Sequence, residues 1–120
     1  MFGFLKKIVK RKVGELEAKM LREGSQFEKA GEVEFEFYSD GTVKVKPAFK
    51  RLGFKKGDQV SLAIDNTEIK RLNVFMGFIA AKKESDRDLH PQFIPLVKPD
   101  KIIRLVSNGQ ILASGRLVVD

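Results

Sequence analysis

The residues best equipped for chemistry in this chain are cations. Lys50, Arg51, Lys55 and Lys56 lie within one short stretch, and no Asp or Glu stands between Lys44 and Lys56. Lys6, Lys7, Lys10, Arg11 and Lys12 form a second block near the start. Ammonium and guanidinium groups at this density suit phosphate oxygens, whose charge they neutralise with release of counterions. Phe49 and Phe54 sit beside the first block, and an exposed ring there would stack on an unpaired base. Phenylalanine at such positions more often fills a core.

Other chemistry is sparse. The chain has no Cys and a single His, which removes disulfides, thiolate metal sites and most nucleophilic mechanisms. Asp86, Asp88 and His90 alternate, so an extended backbone would turn all three to one side, where a divalent ion would accept them. No distant fourth ligand is signalled by spacing, and an exposed loop explains the same residues, so no metal site is expected. Gly53 through Gly57 encloses Lys55 and Lys56 but lacks the phosphate-loop spacing, and no dinucleotide-binding glycine pattern occurs. No catalytic residue and no cofactor is expected, and an enzyme is the least favoured class.

Two kinds of periodicity must position the cations. Phe2, Leu5, Val9, Val13, Leu16 and Met20 step by three or four, which predicts an amphipathic helix over 1–24 stopped by Gly24 and Ser25. From Gly31 the period becomes two. Val33, Phe35 and Phe37 share one face, and Ser39-Asp40-Gly41 is a turn. A three-residue loop there pairs Phe37 with Val43, Phe35 with Val45, Glu36 with Lys44 and Glu34 with Lys46, with Gly41 in the left-handed position. The carboxylates would then offset Lys44 and Lys46, leaving Lys50, Arg51, Lys55 and Lys56 as the available cations. Pro47 is placed to open a single helical turn. Val60, Leu62 and Ile64 face inward on the next strand. Asp65-Asn66 leads into a long strand through Ile69, Leu72, Val74, Met76 and Phe78. Pro91, Pro95 and Pro99 allow only edge or interrupted strands. Asn108-Gly109 between apolar runs is a hairpin turn.

The fold class expected is mainly β, a small barrel or sandwich of six to seven strands, with one N-terminal amphipathic α-helix. The organisation expected is a helix over 1–24 followed by a β domain over 31–120. A length of 120 residues, 42% hydrophobic and 32% charged, with formal charge +7, fits one folded, basic domain. No apolar run reaches the roughly 20 residues that cross a bilayer, so no transmembrane segment is expected. Peripheral membrane contact through residues 2–12 is the lesser alternative. A basic surface gathers polyanions, and nucleic acid, DNA ahead of RNA, is the expected partner.

The run from Gly41 to Val60, with Pro47-Ala48-Phe49-Lys50-Arg51, Leu52-Gly53-Phe54 and Gly57-Asp58, resembles the AbrB-type swapped-hairpin module. The likeness spans residues 35–70. It implies a dimer that binds DNA through basic residues near a Pro-opened short helix, or an antitoxin that holds a partner protein. Carried onto this chain, the DNA contacts are Lys50 and Arg51, with Lys55 and Lys56 beside them. Thr42 stands where the family carries Arg. A similar glycine–strand–turn pattern occurs in small proteins of gut bacteria and their phages. The resulting expectation is a non-enzymatic nucleic-acid-binding protein, a homo-oligomer, using Lys50, Arg51, Lys55 and Lys56 together with Lys10, Arg11 and Lys12. The alternative is a structural or adaptor protein of a larger assembly, such as a phage-associated virion component, assembled through its N-terminal helix. The expected location is cytoplasmic or virion-associated.

Overall fold

The computed structural model describes residues 10–50, 52–79 and 84–120, and in it strand-type alternation starts earlier than the helical spacing predicts. Lys12–Arg22 is a strand, β1, that buries Leu16, Ala18 and Met20 and turns Glu15, Glu17 and Lys19 outward. The expected N-terminal helix is therefore corrected over 12–22; its first nine residues lie outside those described. Leu16 and Met20 satisfy both periods. Ala18 decides between them, because its complete burial completes the alternation. Val13, which a helical stripe would bury, is 63% exposed.

Nine further strands follow among the described residues: β2 (Lys29–Tyr38), β3 (Val43–Phe49), β4 (Val60–Ile64), β5 (Thr67–Leu72), β6 (Val74–Phe75), β7 (Phe78–Ile79), β8 (Ile102–Ser107), β9 (Gln110–Arg116) and β10 (Val118–Val119). The protein is mainly β. One sheet runs in the order β3-β2-β1-β9-β8-β4-β5 and curls into a half-barrel. β10 adds to β1 in the register already set by β9. Leu21 faces Ser114 and Leu16 faces Val119, so 110–119 is one ribbon interrupted at the buried Leu117. The inner face joins Met20, Val33, Phe35 and Val45 to Leu62, Ile64, Ile103 and Leu105, all buried. Each such side chain contributes roughly 1.5–3 kcal/mol on leaving water.

The β2–β3 hairpin has the register that its two faces require. Phe37 opposes Val43, Glu36 opposes Lys44, Phe35 opposes Val45 and Glu34 opposes Lys46. Gly41 takes φ +87°, and Asp40 accepts from both the backbone N–H and the hydroxyl of Thr42. The ion pairs run otherwise than straight across. Lys46 reaches diagonally to Glu36 at 3.1 Å, and Lys44 reaches Asp88 at 2.9 Å.

Three local expectations are corrected. Pro47 lies within β3 opposite Val33 instead of opening a helical turn; β3 is a sheet-edge strand, where a missing N–H is tolerated. The long strand expected after Asp65-Asn66 breaks after Leu72, and Val74–Ile79 is a separate hairpin, β6–β7, turning at Met76 and Gly77. The proline-rich stretch forms a 3-10 helix over Pro91–Leu96 instead of strand, with Pro91 at its start and His90 as its cap. The added strand β1 and the short β6, β7 and β10 account for a strand number above the six to seven expected.

The two edges of the half-barrel, β3 and β5, meet a common segment. Asp88 bridges to Lys44, the Leu89 N–H donates to the Val43 carbonyl, and the Lys70 ammonium donates to the Asp88 carbonyl. Leu89 is buried there. Burial pushes the Lys70 ammonium below its usual range. No helix among the described residues is long and apolar enough to cross a membrane.

Candidate nucleic-acid interface

The basic connection between β3 and β4 starts from an anchored peptide. The Lys50 N–H donates to the Ala30 carbonyl at 2.9 Å, which fixes the exit from β3 beside the start of β2. Phe54 then plugs the core and is buried. After it the chain closes a turn. The Asp58 N–H donates to the Lys55 carbonyl at 3.0 Å, and the Lys55 N–H donates to Asp58 Oδ2 at 2.8 Å. Gly57, at φ +93°, supplies the left-handed residue this turn needs.

A second set of bonds stitches this turn to the β8–β9 hairpin. Asn108 Nδ2 donates to Asp58 Oδ1 at 3.1 Å, and the Gln59 N–H donates to Asn108 Oδ1 at 3.0 Å. The Lys55 backbone N–H, and then the Asn108 amide, hold the Asp58 carboxyl below its ordinary range. Asp58 thus spends its lone pairs on the turn itself, although its charge still lies in the field of Lys55. Lys50, Lys55 and Lys56 are exposed, and none forms an ion pair among the described residues. Arg51 lies outside the described residues.

The second basic block is not brought to the same place. Arg11 exchanges bonds with Ser39, its N–H donating to Ser39 Oγ and its carbonyl accepting the Ser39 N–H, so it sits at the far end of β2. Eight strand steps from Ala30 to Tyr38 separate the two blocks by roughly 26 Å. Lys10 lies over the Tyr38 ring, 4.8 Å from its centroid. Lys12 pairs with Glu15, and with Glu36 at 3.4 Å. Of the residues expected to act together, Lys50, Lys55 and Lys56 share one end of the strands, and Lys10, Arg11 and Lys12 occupy the other.

The outer face of β1–β2 explains why Lys12 is engaged. Glu15 opposes Glu36, and Glu17 opposes Glu34. Glu36 is buried; it accepts from the Tyr38 hydroxyl at 2.6 Å and pairs with Lys46 and Lys12. The Tyr38 bond, with Lys46 behind it, holds its carboxyl below the usual range. Glu15, Glu34 and Asp120 bring carboxylate oxygens within 4.8 Å of one another. Lys12 and then Asp120 lower the Glu15 carboxyl to about 2. Desolvation, then Glu15, raises Glu34; the bond to Glu15 raises Asp120. This crowding comes from pairing two Glu-rich strands, which a helix over 1–24 hides from sequence reasoning.

Asp86, Asp88 and His90 do not converge. Asp86 falls in the 3-10 helix Glu84–Arg87, Asp88 pairs with Lys44, and His90 Nδ1 accepts from the Gln92 N–H at 3.2 Å. Beside them a cleft of about 190 Å³ runs between Val45, Pro47, Lys70 and Leu72 at the seam, smaller than the roughly 300–1,000 Å³ of ordinary ligand sites. Phe49 and Phe54 pack on or in the core and do not offer free ring faces. Phe75 and Phe78 on the β6–β7 hairpin are more exposed, with Phe78 engaged in a contact of its own; the two-residue Met-Gly turn there gives little sequence signal because Asn or Asp usually marks its first position. No family model matches this chain, and neither a curated protein nor a solved structure matches it.

Proposed function

We propose that the protein binds nucleic acid, without catalysing a reaction, through the basic turn between β3 and β4. The observation that carries this reading is the contrast among the lysines. Lys12, Lys44 and Lys46 are each matched to a carboxylate, whereas Lys50, Lys55 and Lys56 stand exposed on a turn whose one acid is turned to hydrogen bonding. An anion at that turn gains three cations and displaces no internal ion pair of theirs. The AbrB-type resemblance over 35–70 points to the same residues and to a dimer, although β3 runs as strand where that family has its short helix. Lys10 and Arg11 would serve a separate, distal contact.

The test is a fluorescence-anisotropy titration of labelled oligonucleotides at low salt. Lys50→Glu/Lys55→Glu/Lys56→Glu is expected to abolish binding, and Lys10→Glu/Arg11→Glu to weaken it less. Full binding by the triple variant refutes the reading. A structural role in a larger assembly, virion-associated or otherwise, is the second reading. Val13, Val118 and Val119 favour it, as exposed apolar side chains along the β1–β10 margin. A multimer in sedimentation that retains no nucleic acid would establish that role instead.

A further inference from the structure

The outer surface of the sheet is divided by charge. Residues opposed across neighbouring strands share a face. On β1 and β2 the outer face carries Glu15, Glu17, Glu32, Glu34 and Glu36, with Lys12 and Lys19 the cations among them. On the β5-β4-β8-β9 half, Arg71 opposes Ser61, Arg104 opposes both Ala63 and Ser114, and Arg116 opposes Ile102. Glu68 is the one acid within these four strands, and it already pairs with Arg71 at 3.6 Å. Arg104 and Arg116 form no ion pair among the described residues.

A trough of about 470 Å³ lies on the arginine half, within the roughly 300–1,000 Å³ of ordinary ligand sites. Its floor is β4, where Ser61 and Ala63 are short, and Arg104, Val106 and Ile111 wall it on β8 and β9. Short side chains between longer neighbours hollow a surface that the curl of the sheet would otherwise leave convex. The mouth of the trough is the basic turn. Gln59 and Asn108 line that end. The Gln59 N–H donates to Asn108, Asn108 donates to Asp58, and the Lys55 N–H donates to the same carboxylate. Arg104 is half-buried and stands four residues along the chain from Asn108, about 13 Å at the rise of a strand.

We infer that a bound single strand runs on from the basic turn along this trough, with a phosphate on Arg104 and a base against Val106 and Ile111; this rests on the nucleic-acid reading above. A polyanion held at Lys50, Lys55 and Lys56 has two outer faces to follow, and the glutamates of β1 and β2 repel it from one of them. The guanidinium fork of Arg104 matches two phosphate oxygens at once. Ile111, 41% exposed, gives a base an apolar wall, and the side-chain amides of Gln59 and Asn66 meet its polar edge. A duplex engages the lysines alone, since its bases are paired and stacked on one another and do not turn into a trough.

The test uses fluorescence anisotropy with oligothymidylates of about 4 and about 12 nucleotides, lengths within ordinary single-strand site sizes, and with a duplex as long as the longer one. The short strand covers the turn alone, and the long strand also reaches Arg104. Arg104→Gln is expected to weaken the long strand about tenfold and to lower its salt slope by about 0.7. The short strand and the duplex should change less than about twofold. Ile111→Glu sets a carboxylate at an exposed position of the trough wall and should give the same pattern with Arg104 still in place. Native long-strand affinity in both variants overturns the trough and leaves the lysine reading standing. Equal losses on the long strand, the short strand and the duplex overturn it as well. Full long-strand binding by Lys50→Glu/Lys55→Glu/Lys56→Glu, with Arg104→Gln still weakened, overturns the lysine reading and keeps the trough.

Discussion

The same substitution, Gly to Ala, is expected to act with opposite sign at two positions of this sheet. At Gly31 an added Cβ would lie 2.3 Å from the Ala48 carbonyl oxygen and 2.7 Å from Phe49 Cα, both backbone atoms of β3. At Gly14 its nearest neighbour is Phe37 Cβ at 4.0 Å, an ordinary contact. Gly31→Ala must push the end of β3 off β2, and that end carries the Lys50–Ala30 hydrogen bond. Overpacking of this kind costs about 1–3 kcal/mol, and the entropy gained by removing a glycine returns only about 0.5–1 kcal/mol. A backbone contact this close belongs in the upper half of that cost range, and the net loss of about 1–2.5 kcal/mol should lower Tm by roughly 3–12 °C for a domain of this size. Gly14→Ala has only the entropic gain and should leave Tm unchanged or raise it by a few degrees. Thermal unfolding followed by circular dichroism measures both. An unchanged or raised Tm for Gly31→Ala, or a clear loss for Gly14→Ala, would refute the close approach of β2 and β3.

Two further predictions concern the outer face. Glu36→Gln keeps shape but weakens charge-assisted bonds to Tyr38, Lys46 and Lys12, and urea unfolding should show a loss of about 1–3 kcal/mol with an unchanged m-value; a loss below about 0.3 kcal/mol would contradict the network. Glu34 has a raised carboxyl, through burial and Glu15, so its effect on stability is most favourable when protonated and is lost as pH rises through its folded pKa. Glu34→Gln should therefore raise Tm at pH 7, and the gain should shrink as pH falls into the range where native Glu34 protonates. Glu15 works in the opposite sense, its stabilisation fading as pH falls from 4.5 towards about 2. A Glu34→Gln gain that is constant with pH would dismiss carboxylate repulsion as its cause.

The register of the β2–β3 hairpin was legible because two faces and a glycine must agree at once, and only one loop length satisfies all three. The Asn108-Gly109 turn was legible for a similar local reason: Asn108 at φ 50° and Gly109 at φ 83° are the residue types that such angles favour. β1 was misread because Leu16 and Met20 fit two periods, and the deciding residue, Ala18, is too small to announce burial. The β6–β7 hairpin was hidden because Met76 occupies a left-handed position usually held by Asn, Asp or Gly. The matching of Lys44 to Asp88 could not be read from spacing, since it spans the seam between sheet edges. The basic turn itself was visible as a run of cations without acids. What the fold adds is the bonding of Asp58, which separates Lys50, Lys55 and Lys56 from the paired lysines.

If Lys50, Lys55 and Lys56 contact phosphates, the salt dependence of binding must report all three. Each neutralised phosphate contributes about −0.7 to the slope of log K against log salt for a single strand. The native chain should therefore show a slope steeper by about 2 than Lys50→Gln/Lys55→Gln/Lys56→Gln. Equal slopes for the two proteins, over the same salt range and on the same oligonucleotide, would contradict phosphate contact by these lysines.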